Sequence, residues 1–299
     1  MKLVSVIIAT FNRPERLVKA LASVAAQTIG RDNVEVVVVN DGGPSVASLI
    51  EAERARLGMT IKLRELAQTG GVSHARNVAI DLTEGKYLAF LDDDDLFGPE
   101  HLVAGVEPME RGEAGFVYLG AVVSDHWLET IPADVSGYPL KAYPYSRQML
   151  QVANYLHTGS VIVRNFKDTS IRFDERLEVC EDWDMWIAVT GIYKGMFVDK
   201  ITCVYHQVKG FQGLVSTGAT TNKFAFATEH IQAKWPSDDP VVIASRAWMS
   251  HMEEYRCGLV RDGRPVNFFF DDVLKYLYSR ISHQQLPDRA DIPGFFKGI

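Results

Sequence analysis

An α/β fold, with a mostly parallel sheet flanked by helices and a helical C-terminal extension, is what the sequence predicts. Three observations carry it. Apolar runs that read as strands alternate with helical stretches four times in the first hundred residues, the signature of right-handed βαβ units. Each run ends in a polar or Gly-rich turn, so one rim of the sheet collects the turns. The run Tyr87-Leu88-Ala89-Phe90-Leu91 ends abruptly in Asp92-Asp93-Asp94-Asp95. A short, non-alternating apolar run is what a strand covered on both faces looks like, and ligands of open α/β sheets bind beyond the carboxyl ends of such strands.

The elements follow in order. Residues 3–9 are apolar and β-branched, a first strand. Thr10-Phe11-Asn12-Arg13 turns the chain, and Pro14, suited to a first helical position, opens a helix to about residue 27. Residues 34–39 form a second buried strand ended by Asn40-Asp41-Gly42-Gly43, and Ser45 caps a helix to about residue 57. Residues 60–66 are a third strand, followed by Thr69-Gly70-Gly71 and a helix over 72–82. The fourth strand leads into the aspartates, and Pro99-Glu100 starts another helix. Residues 116–123 and 159–164 read as strands on either side of an irregular stretch carrying Trp127, Tyr138, Tyr143 and Tyr145. Aromatic side chains there either cover a substrate or pin a long loop. His157, alone, reads as a core histidine. Glu181-Asp182-Trp183-Asp184 begins a helix with Trp183, Trp186 and Ile187 on one face. Residues 196–198 and 201–205 are short strands ended by His206, and the Gly-containing stretch 207–221 reads as a lid. Helical spacing over 240–262 and 268–281 indicates a hairpin packed on the body; the alternative is a helix whose aromatic-rich face meets a membrane or a second copy of the chain. The division expected is 1–206 for the catalytic domain and 207–299 for the loop and helical extension.

Composition bounds the function. With 299 residues, 47% hydrophobic and 23% charged, the chain has the make-up of a globular protein that buries a substantial core. A formal net charge of −7 speaks against nucleic-acid binding driven by phosphate contacts and leaves room for peripheral membrane association at most. Cys180, Cys203 and Cys257 form no C-x-x-C pair and read as free thiols of a reducing compartment. The apolar start is too short for a signal peptide, so a cytoplasmic location is expected, at most peripheral to the inner membrane face.

Four adjacent carboxylates repel one another, and a hard divalent cation relieves that repulsion. A solvated acidic turn is the plainer reading; the position after a buried strand favours a metal. There is no G-x-G-x-x-G in the first turn and no G-x-x-x-x-G-K-[ST] anywhere, which removes the dinucleotide and P-loop fingerprints. The rim offers acids and amides instead, favouring a metal-bridged diphosphate. Glu181 and Asp182 suit a helix N-terminus on dipole grounds alone; a carboxylate held there can also accept a proton.

Taken together and in order, these motifs resemble the inverting family 2 glycosyltransferases of the GT-A fold, over roughly the first 206 residues. Val4-Ser5-Val6-Ile7-Ile8-Ala9-Thr10-Phe11-Asn12-Arg13 resembles the family's opening strand and base-binding turn, and Val37-Val38-Val39-Asn40-Asp41-Gly42 its second strand. Gly70-Gly71-Val72-Ser73-His74-Ala75-Arg76-Asn77 resembles the donor-approaching segment, Leu91-Asp92-Asp93-Asp94-Asp95 the L-D-x-D-D metal motif, and Glu181-Asp182-Trp183-Asp184 the acidic helix start bearing the general base. The resemblance implies a Rossmann-like sheet and transfer of a hexose from a nucleoside-diphosphate donor, UDP-linked, to a hydroxyl of a glycan, lipid-linked or natural-product acceptor, as in polysaccharide biosynthesis. It implies donor binding by Thr10, Phe11, Asn12, Arg13, Asp41, Gly71, Arg76, Asp92, Asp93 and Asp94, and Mn²⁺ or Mg²⁺ held by Asp94 and Asp95. Asp182, with Glu181 beside it, is implied as the catalytic base. Many relatives carry Tyr-Arg-x-His where this chain has Tyr205-His206-Gln207-Val208; His206 is a candidate third ligand. A homodimer is an open expectation. Two alternatives stand beside this reading: a nucleotidyltransferase that makes sugar nucleotides, and a catalytically silent sugar-nucleotide-binding subunit.

Overall fold

The computed structural model describes residues 2–208, 223–264 and 270–296. The expected lid over 207–221 and the first residues of the expected helix at 268 fall mostly outside these. Two compact units are present: residues 1–145 with 156–228, and residues 146–155 with 229–299. The short segment 146–155, inside the expected catalytic domain, thus groups with the helical unit.

The first unit is built on one sheet. Strands β1 (Val4–Thr10), β2 (Val34–Asn40), β3 (Thr60–Glu65) and β4 (Tyr87–Phe90) alternate with helices α1 (Pro14–Ala25), α2 (Ala47–Leu57) and α3 (Val72–Leu82). β1, β2 and β4 are buried almost throughout, which is why they read as continuous apolar runs rather than alternating ones. α1 opens on Pro14 and turns Leu17, Ala20, Leu21 and Val24 inward at helical spacing. Parallel pairing of β1 with β2 runs in one register from Val4 opposite Val34 to Thr10 opposite Asn40, and β4 joins the other side of β1 with Ile7 opposite Phe90. These registers bring Thr10, Asp41 and the four aspartates to the same rim.

Beyond β4 the sheet is mixed, in the order β3-β2-β1-β4, then β8 (Val161–Arg164), β6 (Phe116–Ser124), β9 (Gly195–His206) and β5 (Leu96–Phe97), with β7 (Leu140–Lys141) on β6. β4 leads through β5 (Leu96–Phe97) and α4 (His101–Glu110) to β6 (Phe116–Ser124). β8 (Val161–Arg164) fills the gap between β4 and β6, antiparallel to both. β9 (Gly195–His206) runs parallel to β6 and antiparallel to β5. The mostly parallel sheet expected from the sequence therefore holds for the β3-β2-β1-β4 half; the other half is laced with antiparallel pairs, including the two-residue β7 (Leu140–Lys141). The two short strands expected near residue 200 are one strand, with shifted pairing between Leu119 and Ala121.

α5 (Arg147–Val152), capped by Ser146, belongs to the second unit with α8 (Pro240–Arg261) and α9 (Phe270–Ser282); α7 (Lys223–Lys234) straddles the division between units. Asp239 caps α8 by accepting from the Val241 and Val242 amides. In this unit Trp248 stacks on Tyr276, and Phe295 meets both rings edge-on. Among the described residues no helix is long and apolar enough to cross a membrane. The three cysteines are free thiols.

Candidate active site

Asp41, just beyond β2, is buried and accepts three hydrogen bonds, from Thr69 Oγ1 at 2.7 Å, Gly70 N at 2.8 Å and Gly71 N at 3.0 Å. A carboxylate has about four lone-pair sites, so Asp41 shapes the 69–71 loop and keeps capacity to accept a further hydrogen bond. The approach depends on Gly42: at φ +77°, a Cβ there would lie 2.4 Å from Thr69 N. In the β1 turn Asn12 takes the left-handed φ of 55°, a conformation Asn tolerates better than most residues. Phe11 beside it is 52% exposed, an aromatic face on the rim.

The four aspartates diverge. Asp92 accepts from Arg76 Nη2 at 2.6 Å. Asp93 accepts from Thr10 Oγ1 at 2.7 Å and Arg13 Nη1 at 3.0 Å, and the same Nη1 reaches Asp94 at 2.9 Å. Asp95 turns inward and is 2% exposed: one oxygen accepts the His206 amide at 2.8 Å and the other lies 3.0 Å from His157 Nε2. Burial alone would raise its pKa, but His157 and His206 hold it below the ordinary Asp value. Asp95 is thus a brace under the turn, and the rim presents Asp92 and Asp94.

His206 also departs from the expected ligand role. Its Nδ1 donates to the Asp94 carbonyl at 2.6 Å and its Nε2 accepts from Leu128 N at 3.0 Å, so neither ring nitrogen has a lone pair to give a cation in this arrangement. It ties the aspartate turn to the 125–129 loop, where Trp127 packs on the His206 ring and under the Arg16 guanidinium.

Arg76, expected beside the donor, is 4% exposed and forks between two acids: Nη2 to Asp92, and Nη1 to Glu181 Oε1 at 2.7 Å. It joins the acids just beyond β4 to the start of α6 (Glu181–Ile192), elements far apart in the chain. Against the cost of burial, Asp92 and Glu181 hold its guanidinium above the ordinary value. Cys180, the residue before α6, is in a left-handed conformation, φ 61°, backbone strain of the kind that collects at functional sites. Next to Glu181, Asp182 accepts from Thr158 Oγ1 at 3.0 Å and from the Trp183 amide at 2.8 Å. His157 and Thr158, which nothing in the local sequence marks out, thus touch the two acidic motifs.

Two guanidiniums, Arg13 and Arg76, are set against Asp92, Asp93, Asp94, Glu181 and Asp182. The surplus of negative charge shows in Asp94, whose carboxyl is pushed up to about 8 by burial and by Asp95, Asp92 and Asp93, with Arg13 opposing. Burial also pushes Glu181 up to about 7, with Arg76 opposing and Asp182 adding to the rise. A carboxyl whose folded pKa exceeds its unfolded one binds more protons in the native state, so stability falls as pH rises through the interval. For Glu181 that interval runs from its ordinary 4.5 to about 7. Thermal melts between pH 4.5 and 8 are expected to show a decline that Glu181→Gln partly flattens; a variant with an unchanged slope would exclude Glu181 as its source.

Comparison with known proteins gives the family and the fold. The model of the family "Glycosyl transferase family 2" matches residues 5–166. Solved structures with the same fold include S. aureus TarS 1-349 in complex with UDP-GlcNAc, with a TM-score of 0.64, 21% identity, and coverage of 83% of this chain and 71% of that one. Another is the mannosyltransferase PcManGT from Pyrobaculum calidifontis in complex with GDP-Man and Mn²⁺, with a TM-score of 0.61, 17% identity, and coverage of 83% and 69%. The fold and the family match define a glycosyltransferase of the GT-A fold. The chain belongs to glycosyl transferase family 2. Among curated relatives, the uncharacterized glycosyltransferase YwdF of Bacillus subtilis (strain 168) is 25% identical over 88% of this chain and 97% of its own length. The minor teichoic acid biosynthesis protein GgaB of the same organism is 39% identical over 31% of this chain, a match spanning 10% of GgaB.

Proposed function

We propose that the chain transfers a sugar from a nucleoside-diphosphate donor, UDP-linked, to an acceptor hydroxyl with inversion, using a divalent cation and Asp182 as general base. The observation that carries this is the Asp92–Arg76–Glu181 ion-pair chain, which links the rim acids to the start of α6. TarS and PcManGT, structures of the same fold, hold a UDP-sugar and a GDP-sugar; acids rather than a glycine cradle on the rim suit either diphosphate. GgaB is named for teichoic acid biosynthesis, and a glycan or glycan-like polymer is the acceptor class this reading favours.

The donor set fits a hard cation. Among the described residues no three His, Cys, Asp or Glu side chains form a ready-made cage, and Mg²⁺-type sites commonly use one or two carboxylates plus substrate phosphates. Asp94, crowded by the Asp92, Asp93 and Asp95 carboxylates with one guanidinium against them, would hold the ion with Asp92 beside it, and the ion would supply neutralisation of the departing diphosphate. The protein's own residues do the rest. Asp41 and the Thr10–Asn12 turn bind the base, and Phe11 packs on it. Arg13 fixes Asp93 and Asp94. Arg76 holds Glu181, leaving Asp182 to take the proton from the acceptor hydroxyl as its oxygen attacks the anomeric carbon. Charge development is thereby met by groups already in place.

The test is a thermal-shift and hydrolysis screen of nucleotide sugars with Mn²⁺, with Mg²⁺ and with chelator. Metal-dependent stabilisation by one donor is expected, and Asp94→Asn should abolish the metal-dependent part. Donor binding indifferent to chelator would overturn the metal assignment, and pyrophosphate release from a nucleoside triphosphate would point to the nucleotidyltransferase reading.

A further inference from the structure

We propose that Thr158 is a positioning residue for Asp182, and that the turn 157–160 sets the α6 acid in register with the strand-end acids. The inference rests on the assignment of Asp182 as base. Thr158 is 5% exposed and donates from Oγ1 to Asp182 Oδ2 at 3.0 Å, while the Trp183 amide donates to Oδ1 at 2.8 Å. Each carboxylate oxygen therefore receives a fixed donor, and the group is held against rotation in one orientation. Hydrogen bonds to a charged acceptor are the stronger kind, and a base displaced by about 1 Å can cost 10²-fold in rate.

The turn is built to keep that hydroxyl in place. His157, 5% exposed, stacks on Tyr205 with ring centroids 4.2 Å apart and sets Nε2 3.0 Å from Asp95. The His157 carbonyl accepts both from Ser160 Oγ at 2.6 Å and from Ser160 N at 2.9 Å. The ring folds back over Gly159, where a Cβ would lie 2.7 Å from Nε2. Immediately afterwards β8 enters the sheet between β4 and β6. Adjacent residues thus brace the two acidic motifs: His157 stands against Asp95, and Thr158 against Asp182. A threonine that merely satisfied a carboxylate would matter to folding; one that aims a base matters to turnover.

The experiment compares Thr158→Val, Thr158→Ala, Thr158→Ser and Asp182→Asn in the full chain, using the nucleotide sugar identified by the screen above and water as acceptor. Thr158→Val is nearly isosteric and is expected to lower kcat about 10- to 100-fold with the donor KM and melting temperature unchanged. Thr158→Ala reads the same quantity should the valine variant fail to fold, and Thr158→Ser, which keeps the hydroxyl, should restore most of the turnover. Wild-type kcat in both Val and Ala variants overturns the proposal, as does a loss shared by Ser or one confined to the donor KM or to folding. Full turnover in Asp182→Asn overturns the base assignment and this proposal with it. Loss in Asp182→Asn alongside wild-type turnover in Thr158→Val overturns this proposal alone.

Discussion

Asp182→Asn is expected to leave metal-dependent donor binding intact and to lower turnover by about 10²- to 10⁴-fold, the usual contribution of a positioned general base. The amide keeps the size of the carboxylate and an oxygen to accept from Thr158, but it cannot take up a proton. No neighbour can substitute. Glu181 is 6% exposed and tied to Arg76 at 2.7 Å, and its acidic oxygen belongs to the ion pair that joins α6 to the rim. Asp184, next along, is fully buried. The measurement is single-turnover and steady-state transfer with the identified donor, alongside donor affinity by thermal shift. Turnover close to wild type, or a loss residing wholly in donor affinity, would remove Asp182 from the base role.

Arg76→Met should destabilise the fold by about 3 kcal/mol, the lower end of what removing one partner of a buried ion pair costs, because Asp92 is 32% exposed while the Glu181 side chain is 8% exposed. The apolar replacement fills much of the volume but leaves two carboxylates without their cation. The sign with pH follows. Without the guanidinium Glu181 holds its proton to higher pH, so the variant should lie closest to wild type in mild acid and fall away as pH rises past 7. Denaturant melts at pH 5 and pH 8 read the difference. Arg76→Lys should rescue only part of it, since one ammonium cannot fork to two acids as a guanidinium does. Equal stability of Arg76→Met and wild type at pH 8 would show that the ion-pair chain contributes nothing net. Transfer activity should fall as well, because Glu181 adjoins Asp182 on the first turn of α6.

Much of this site is legible in the amino-acid sequence. Thr10, Asp41 and the aspartates end buried strands, and strand burial leaves a plain mark in apolar runs, so their meeting on one rim follows from parallel register. The acids of Glu181-Asp182 announce a helix start. The partners were not legible. Arg76 reads equally well as a phosphate contact or as an ion-pair hub, and only the packing of α3 against the α6 start shows it forked between Asp92 and Glu181. Asp95 looks like its three neighbours in sequence, yet the turn sends it inward to His157 and His206. His206 looked available for a cation until its two nitrogens proved to be taken by Asp94 and Leu128. The short strands β5 and β7 and the one-and-a-half-turn α5 carry too few residues for periodicity to register.

What the amino-acid sequence determined unaided is the layered α/β plan, the rim that gathers its turns, and the acid-rich chemistry of that rim, because each arises from local patterning: apolar runs of strand length, Pro and Gly at element ends, and charge placed just past a buried strand. What only the tertiary structure decided is which acid faces outward and which cation answers it. Those pairings join residues 16 to 105 positions apart, and their energies depend on burial and on angles of approach, quantities that exist only once the strands and helices have packed.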